Sequence, residues 1–217
     1  MAALQKYGFY VLVAVMAAIP LLPVPEFWIT QLNYIGIYAL VSLGLVLLTG
    51  VAGLTSFGQA AFVGVGAYTA AFLAVKLGVS PWLTLLVGMG LSVLVALVLG
   101  AITLRMSGHY LPLATIAWGL TIYYTISNME FLGKYDGLLG VPAISLFGIS
   151  LGTGRGIYGL IWLIALASAV AVTRLLDSRP GRAIRSLKTG TTMAEAMGIS
   201  TFRYKLSAFW VSSFIGG

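Results

Sequence analysis

The chain predicts an all-α polytopic membrane bundle with about six complete spans, the start of a seventh and a cytoplasmic N-terminus. Three observations carry that expectation: an apolar composition, apolar runs of spanning length, and basic residues gathered on one side of those runs. Of the 217 residues, 60% are hydrophobic and 8% charged, with a mean hydropathy of +1.03, whereas a soluble domain carries about 25% charged residues. The apolar runs fall at Tyr7–Val24, Leu32–Thr49, Leu54–Val75, Trp82–Leu104, Leu111–Ser127 and Ile157–Thr173, and a further one begins near Leu206. Each is close to the roughly 20 residues that cross hydrocarbon as a helix. An outer-membrane barrel would instead show short segments of alternating polarity.

Taken in order, the first run lacks a small-residue cleavage site and is followed by more spans, so it reads as a retained helix whose outer end is marked by Pro20, Pro23 and Pro25. The joint Thr49-Gly-Val-Ala-Gly53 carries no charge. It reads as a tight loop or as an interrupted helix, and in the second case part of Leu54–Val75 is re-entrant. In that run Ala60, Gly64, Ala67 and Ala71 form a stripe of small residues, and in the next Gly88, Ser92, Ala96 and Gly100 repeat every fourth position. Such stripes let helix backbones approach closely, so a packed bundle is expected, with a path lining as the alternative. Thr55, Ser56 and Gln59 are the candidate solute path, polar but uncharged beside the joint. They are able to bond a solute or, alternatively, to satisfy helix ends. The connection 129–156 holds turn signals at Gly133-Lys-Tyr-Asp-Gly137 and Gly137-Leu-Leu-Gly-Val-Pro142. The chain reaches Gly217 inside an apolar segment, so a single transmembrane domain over 1–217, truncated at its C-terminal end, is expected.

Charge sets the orientation. Threading the spans in alternation puts Lys6, Arg105, Arg174, Arg179, Arg182, Arg185, Lys188, Arg203 and Lys205 inside, against only Lys76, Lys134 and Arg155 outside. Glu26, Glu130 and Asp136 then lie outside, Asp177 and Glu195 inside, and every Asp, Glu, Lys and Arg stands at a span boundary or in a loop. Proton relays and voltage sensors need ionisable groups inside the membrane. His109, the one histidine, stands near Arg105 in a short turn, where interfacial anchoring is the ordinary role. Nothing else supplies a catalytic set: no His/Asp/Glu cluster has metal-ligand spacing, no Ser–His–Asp constellation suggests itself, and no phosphate loop is present. Cysteine is absent altogether, which removes disulfides and thiolate metal sites. If ATP drives this protein, another chain binds it.

The segment 174–205 is the long polar stretch of the second half. Ser178-Arg-Pro-Gly181 reads as a turn, after which Arg182, Arg185 and Lys188 share part of a helical face. Thr192-Met-Ala-Glu195 fits a capping box, and Gly198 a left-handed stop, giving a helix of barely two turns. A helix so short must pack on something. The stretch reads as a partner-docking surface or as a basic loop on anionic lipid. Nucleic-acid binding fits poorly because topology already explains the positive charge.

Gly181-Arg-Ala-Ile-Arg185, Met193-Ala-Glu-Ala-Met-Gly-Ile199 and Arg203-Tyr-Lys-Leu-Ser-Ala-Phe209 together resemble the coupling loop of bacterial ABC importer permeases of the branched-chain amino-acid type, LivM-like in kind. Gly53-Leu-Thr-Ser-Phe-Gly-Gln-Ala-Ala-Phe62 and Gly64-Val-Gly-Ala-Tyr68 resemble that family's signature at the start of a membrane helix. The resemblance covers most of 32–217. It implies a permease domain in a bacterial inner membrane, with 174–205 as a cytoplasmic loop coupled to ATPase subunits through Gly181, Arg182, Arg185, Thr192, Ala194, Glu195, Ala196 and Gly198. It also implies a second permease subunit, two ATPase subunits carrying ATP and Mg, a periplasmic solute-binding protein, surrounding lipid, and no cofactor or catalysis on this chain. Two departures stand out: Thr189-Gly-Thr-Thr192 replaces the acidic or amide residues usual before the loop's Ala-Glu element, and Gly133-Lys-Tyr-Asp-Gly-Leu138 replaces a Thr-Gly-Gly turn. The expected solute range therefore extends from branched-chain amino acids to other amino acids, urea and short amides. An ATP-independent carrier or channel is the alternative, and a membrane-embedded enzyme a third reading.

Overall fold

The computed structural model describes residues 13, 15, 16, 18–106, 110–146 and 149–217. Most of the expected first span, together with Lys6 and His109, lies outside the described residues. Among the described residues eight α-helices follow the proline-rich segment: α1 (Glu26–Leu45), α2 (Gln59–Leu77), α3 (Pro81–Thr103), α4 (Tyr110–Asn128), α5 (Gly154–Asp177), α6 (Arg179–Thr189), α7 (Thr191–Ala196) and α8 (Thr201–Gly216). A two-rung antiparallel ladder joins β1 (Ser145–Leu146) to β2 (Ile149–Ser150). Among the described residues four helices are long and apolar enough to cross a membrane: Glu26–Val51, Gln59–Leu77, Pro81–Thr103 and Gly154–Asp177. The fold is therefore a membrane helical bundle, with four such spans where the apolar runs suggested more. α4 has the length of a span at 19 residues, but its Thr, Tyr and Asn side chains dilute its apolar character.

At the joint after α1 the helix distorts and then stops, and residues 52–58 are not helical. The backbone loosens into a π-helical turn over Val46–Val51, where Thr49 Oγ1 donates to Leu45 O at 2.7 Å, Ala52 N donates to Leu47 O at 3.1 Å and Leu54 N to Leu48 O at 3.0 Å. A hydroxyl bonding back to the preceding turn is a common cause of such distortion. Gly53 then takes a left-handed φ of +70°, and α2 begins only at Gln59. The apolar run expected from Leu54 is thus non-helical over its first five residues, because hydropathy does not register where backbone hydrogen bonds lapse.

The chain forms two compact units, Met1–Ala39 with Ala143–Ala167, and Leu40–Pro142 with Ser168–Gly217. In the smaller unit, Asn33 Nδ2 donates to Gly154 O at 2.8 Å, Tyr158 hydroxyl donates to Met16 O at 3.1 Å and Arg155 donates to Val24 O. Gly36 lets α1 close on α5: a Cβ there would stand 2.7 Å from Ile161 Cγ2.

In the larger unit, α3 is the central helix. Its stripe Gly88, Ser92, Ala96 and Gly100 is buried throughout, as the spacing predicts. A Cβ on Gly88 would lie 2.9 Å from Gly66 O of α2, and one on Gly100 would lie 2.9 Å from Leu206 Cδ1 of α8. Ser92 Oγ donates to Phe62 O at 3.0 Å, and Ser213 Oγ donates to Ser92 O at 2.9 Å, so polar contacts reinforce the close approach. Phe62 meets Phe209 edge to face at 5.5 Å between ring centres, in a core shared with Leu48, Leu54, Leu111 and Ile184. The small stripe of α2 behaves differently: Ala60 and Ala67 are exposed and Gly64 and Ala71 half-buried. The packing face of α2 is instead Gln59, Phe62, Gly66 and Ala74.

Candidate functional site

The polar segment after α5 folds as a helical hairpin seated on the larger unit. Ser178 is the N-cap of α6, its hydroxyl accepting from Gly181 N at 3.3 Å, with Pro180 in the first turn where its missing N–H costs nothing. Ser178-Arg-Pro-Gly181 is therefore the start of the helix and not a separate turn. Gly181, Ile184 and Leu187 form the buried face. Arg182, Arg185 and Lys188 occupy the exposed side, as their spacing predicts. Arg182 Nη1 donates to Asp177 O at 2.8 Å, Arg185 stands 3.7 Å from the Asp177 carboxylate, and Lys188 Nζ donates to Gly50 O at 2.9 Å. The last bond satisfies a carbonyl beside the π-turn and ties the hairpin to the helix interruption.

In α7 the expected capping box does not form. The helix starts at Thr191 after Gly190, and no side chain caps it. Thr192 and Ala196 are exposed and Ala194 is buried. The Glu195 carboxylate instead accepts from Thr201 Oγ1, where an anion suits the first turn of α8. Gly198 is left-handed at φ +78°, as read from the sequence. Ile199 N donates to Ala194 O at 3.0 Å and Gly198 N to Glu195 O at 2.9 Å, which closes the helix in the usual left-handed stop. Met193 and Met197, four positions apart, are 70% and 79% exposed. Two adaptable apolar side chains offered to solvent on a short polar hairpin suit a protein contact. Charge and capping considerations passed over them, although their spacing on either side of Glu195 was visible in the sequence.

The candidate path residues divide. Thr55 is exposed, while Ser56 and Gln59 are buried. Ser56 Oγ accepts from Gly58 N at 3.4 Å. Gln59 Nε2 donates to Ser212 O at 3.0 Å, and Ser212 Oγ stands within hydrogen-bond reach of both Gln59 Oε1, at 3.0 Å, and Gly44 O, at 2.8 Å. Gln59 thus joins α1, α2 and α8 in one buried polar knot. Ser212 was invisible as a partner because 153 residues separate it from Gln59.

Alongside these residues α2 and α4 line a mostly apolar cavity of about 390 Å³, with Ala60, Gly64, Ile116 and Gly119 among its walls. The two helices run in the same direction: Phe57 N donates to Thr115 Oγ1 at 3.1 Å near their starts, and Phe72 meets Phe131 beyond their middles.

Among the described residues, apolar helices of spanning length, with a basic hairpin bonded to the end of one of them, mark a membrane-embedded protein. The family described as branched-chain amino acid transport system / permease component matches residues 28–217, and the chain belongs to that family. It is similar to the high-affinity branched-chain amino acid transport system permease protein LivM of Escherichia coli strain K12, with 29% identity over 205 residues, covering 83% of this chain and 48% of the relative. The LivM protein of Salmonella typhimurium strain LT2 is similar to the same extent, 29% over 205 residues, with 83% and 48% covered. The chain thus spans about half the length of these relatives (48%). No solved structure matches.

Proposed function

We propose that the chain is a membrane permease subunit of an ATP-driven ABC importer for branched-chain amino acids or similar small neutral solutes. It would lie in a bacterial inner membrane as a single permease domain of about six spans and part of a seventh. The observation that carries this reading is the hairpin locked to the broken helix. Lys188 holds the carbonyl of Gly50 and Glu195 holds the start of α8, so a push on α6 and α7 would reach the interruption and the polar knot around Gln59 together. Two ATPase subunits carrying ATP and Mg would bear on that hairpin, with Met193 and Met197 as the side chains they grip. A second permease subunit and a periplasmic binding protein would complete the importer, and no chemistry would fall on this chain.

The proposed orientation puts the N-terminus and 174–205 in the cytoplasm, and the placement of 174–205 is supported within the larger unit. Arg105 lies over the Phe202 ring at 5.8 Å and Lys188 over the π-turn, which groups these basic residues at one end. The Lys134–Glu130 pair, at 2.7 Å, sits past the opposite end of α4. Work supplied by ATP suits spans whose Asp, Glu, Lys and Arg residues stand only near their ends.

The test is leucine uptake by vesicles carrying the full-length chain with its neighbouring subunits. Uptake should require ATP, and Glu195→Ala, which removes a charge-assisted bond of roughly 1.5–3 kcal/mol, should lower it about tenfold. ATP-independent flux indifferent to this change would instead identify a carrier or channel.

A further inference from the structure

We propose that the cavity between α2 and α4 is a solute pocket of the permease, taking the aliphatic group of a small neutral solute against its apolar wall and the solute's polar end on the Ser127 hydroxyl. This rests on the transport function proposed above and gives that function a location.

The first observation is Ser127. It is 6% exposed and lines the cavity, yet its hydroxyl has no hydrogen-bond partner among the described residues. Other buried hydroxyls of the bundle are satisfied: Thr84, Ser92, Thr103 and Thr115 each donate to a carbonyl, as do Ser212 and Ser213. An unpaired hydroxyl on the wall of a cavity is available to whatever enters. The hydroxyl-bearing rings of Tyr68 and Tyr123 line the same cavity, adding donors and acceptors without charge.

The second observation is the pair of glycines on opposite walls. Gly64 and Gly119 stand inside helices, where glycine is unfavourable, and neither has a positive φ. A Cβ on Gly64 would meet only Ile126 Cδ1, at 3.9 Å, and one on Gly119 would meet nothing within 4 Å. Contacts within the chain therefore give no reason for their size, whereas Gly88 and Gly100 are pressed against neighbours. Small walls on both sides of one cavity leave room for a guest.

The volume of about 390 Å³ falls in the range of small-molecule sites, roughly 300–1,000 Å³. The lining carries no ionised side chain, which favours an aliphatic solute group over a charged one. A lipid chain would fill the apolar wall but leave Ser127 unpaired.

The experiment uses the full-length chain in its complex. Ser127→Cys is reacted with N-ethylmaleimide, with and without saturating L-leucine, and labelling is read from the mass of the peptide containing position 127. Leucine should slow labelling about tenfold, and equimolar L-aspartate should not. In parallel, Gly119→Leu should cut leucine uptake by about tenfold or more, while Gly90→Leu, where a Cβ also meets nothing within 4 Å, should not. Labelling indifferent to leucine, or wild-type uptake in Gly119→Leu, overturns the pocket, and a lipid occupant would give the first of these results. If the unsubstituted complex shows no ATP-driven leucine uptake, the transport function itself is what fails.

Discussion

Gly181→Val is expected to abolish ATP-driven uptake while leaving the spanning helices assembled. A Cβ at position 181 would lie 2.5 Å from Leu176 Cα and closer still to Leu175 O, and these are backbone atoms that cannot move aside. The first turn of α6 would have to lift from the end of α5, drawing Ile184 and Leu187 from the buried positions they hold. Exposing two such side chains costs about 3–6 kcal/mol. The docked hairpin would then fall by on the order of 100-fold or more in population. The bond from Lys188 to Gly50 would be lost with it. Uptake and ATP hydrolysis measured on the same vesicles check this, with the thermal midpoint of Arg182→Ala as the folding control. Arg182 is exposed and, among the described residues, its side chain bonds only Asp177 O, so its removal should cost less than about 1 kcal/mol of stability.

Gly44→Val should markedly destabilise the bundle. A Cβ on Gly44 would come 2.7 Å from Ser212 O and 2.9 Å from Gln59 Nε2, splitting the knot that joins α1, α2 and α8. Overpacking costs about 1–3 kcal/mol, and each buried partner left unsatisfied adds about 1–3 kcal/mol. A total near 3–5 kcal/mol should appear as a marked drop in the thermal midpoint of the complex in detergent. Gln59→Leu, which adds no clash, should lower it by less. A midpoint unchanged in Gly44→Val would mean that the three helices do not close on Gly44.

Much of this architecture was legible in the residues. Hydropathy located α3 and α4 to within a residue at each end, while α1 begins six positions before its apolar run and α2 five after, and the fourfold spacing of Gly88, Ser92, Ala96 and Gly100 identified the buried stripe of α3 because helical periodicity fixes a face. Gly198 announced a left-handed stop, since few other residues adopt that backbone. What escaped depended on partners distant in sequence. The Thr192-to-Glu195 spacing matches a local capping box, but Thr201 lies close enough to take the carboxylate, and tertiary contact prevailed over local preference. Periodicity showed Ala60 and Gly64 on one face without showing that the face borders a cavity. Gln59 beside the break was noticed for its polarity, while its role as a knot awaited Ser212. Ser127 gave no signal, for a serine at a helix end is ordinary until its hydroxyl is found without a partner.

The most direct measurement of the coupling proposal is leucine transported per ATP hydrolysed, compared between the wild-type complex and Met193→Ser/Met197→Ser. Both methionines are exposed, so the double variant should insert and melt as the wild type does. If the hairpin transmits ATPase closure through these side chains, transport per ATP should fall about tenfold or more. Wild-type coupling in the double variant, at normal assembly, would contradict the hairpin's proposed role.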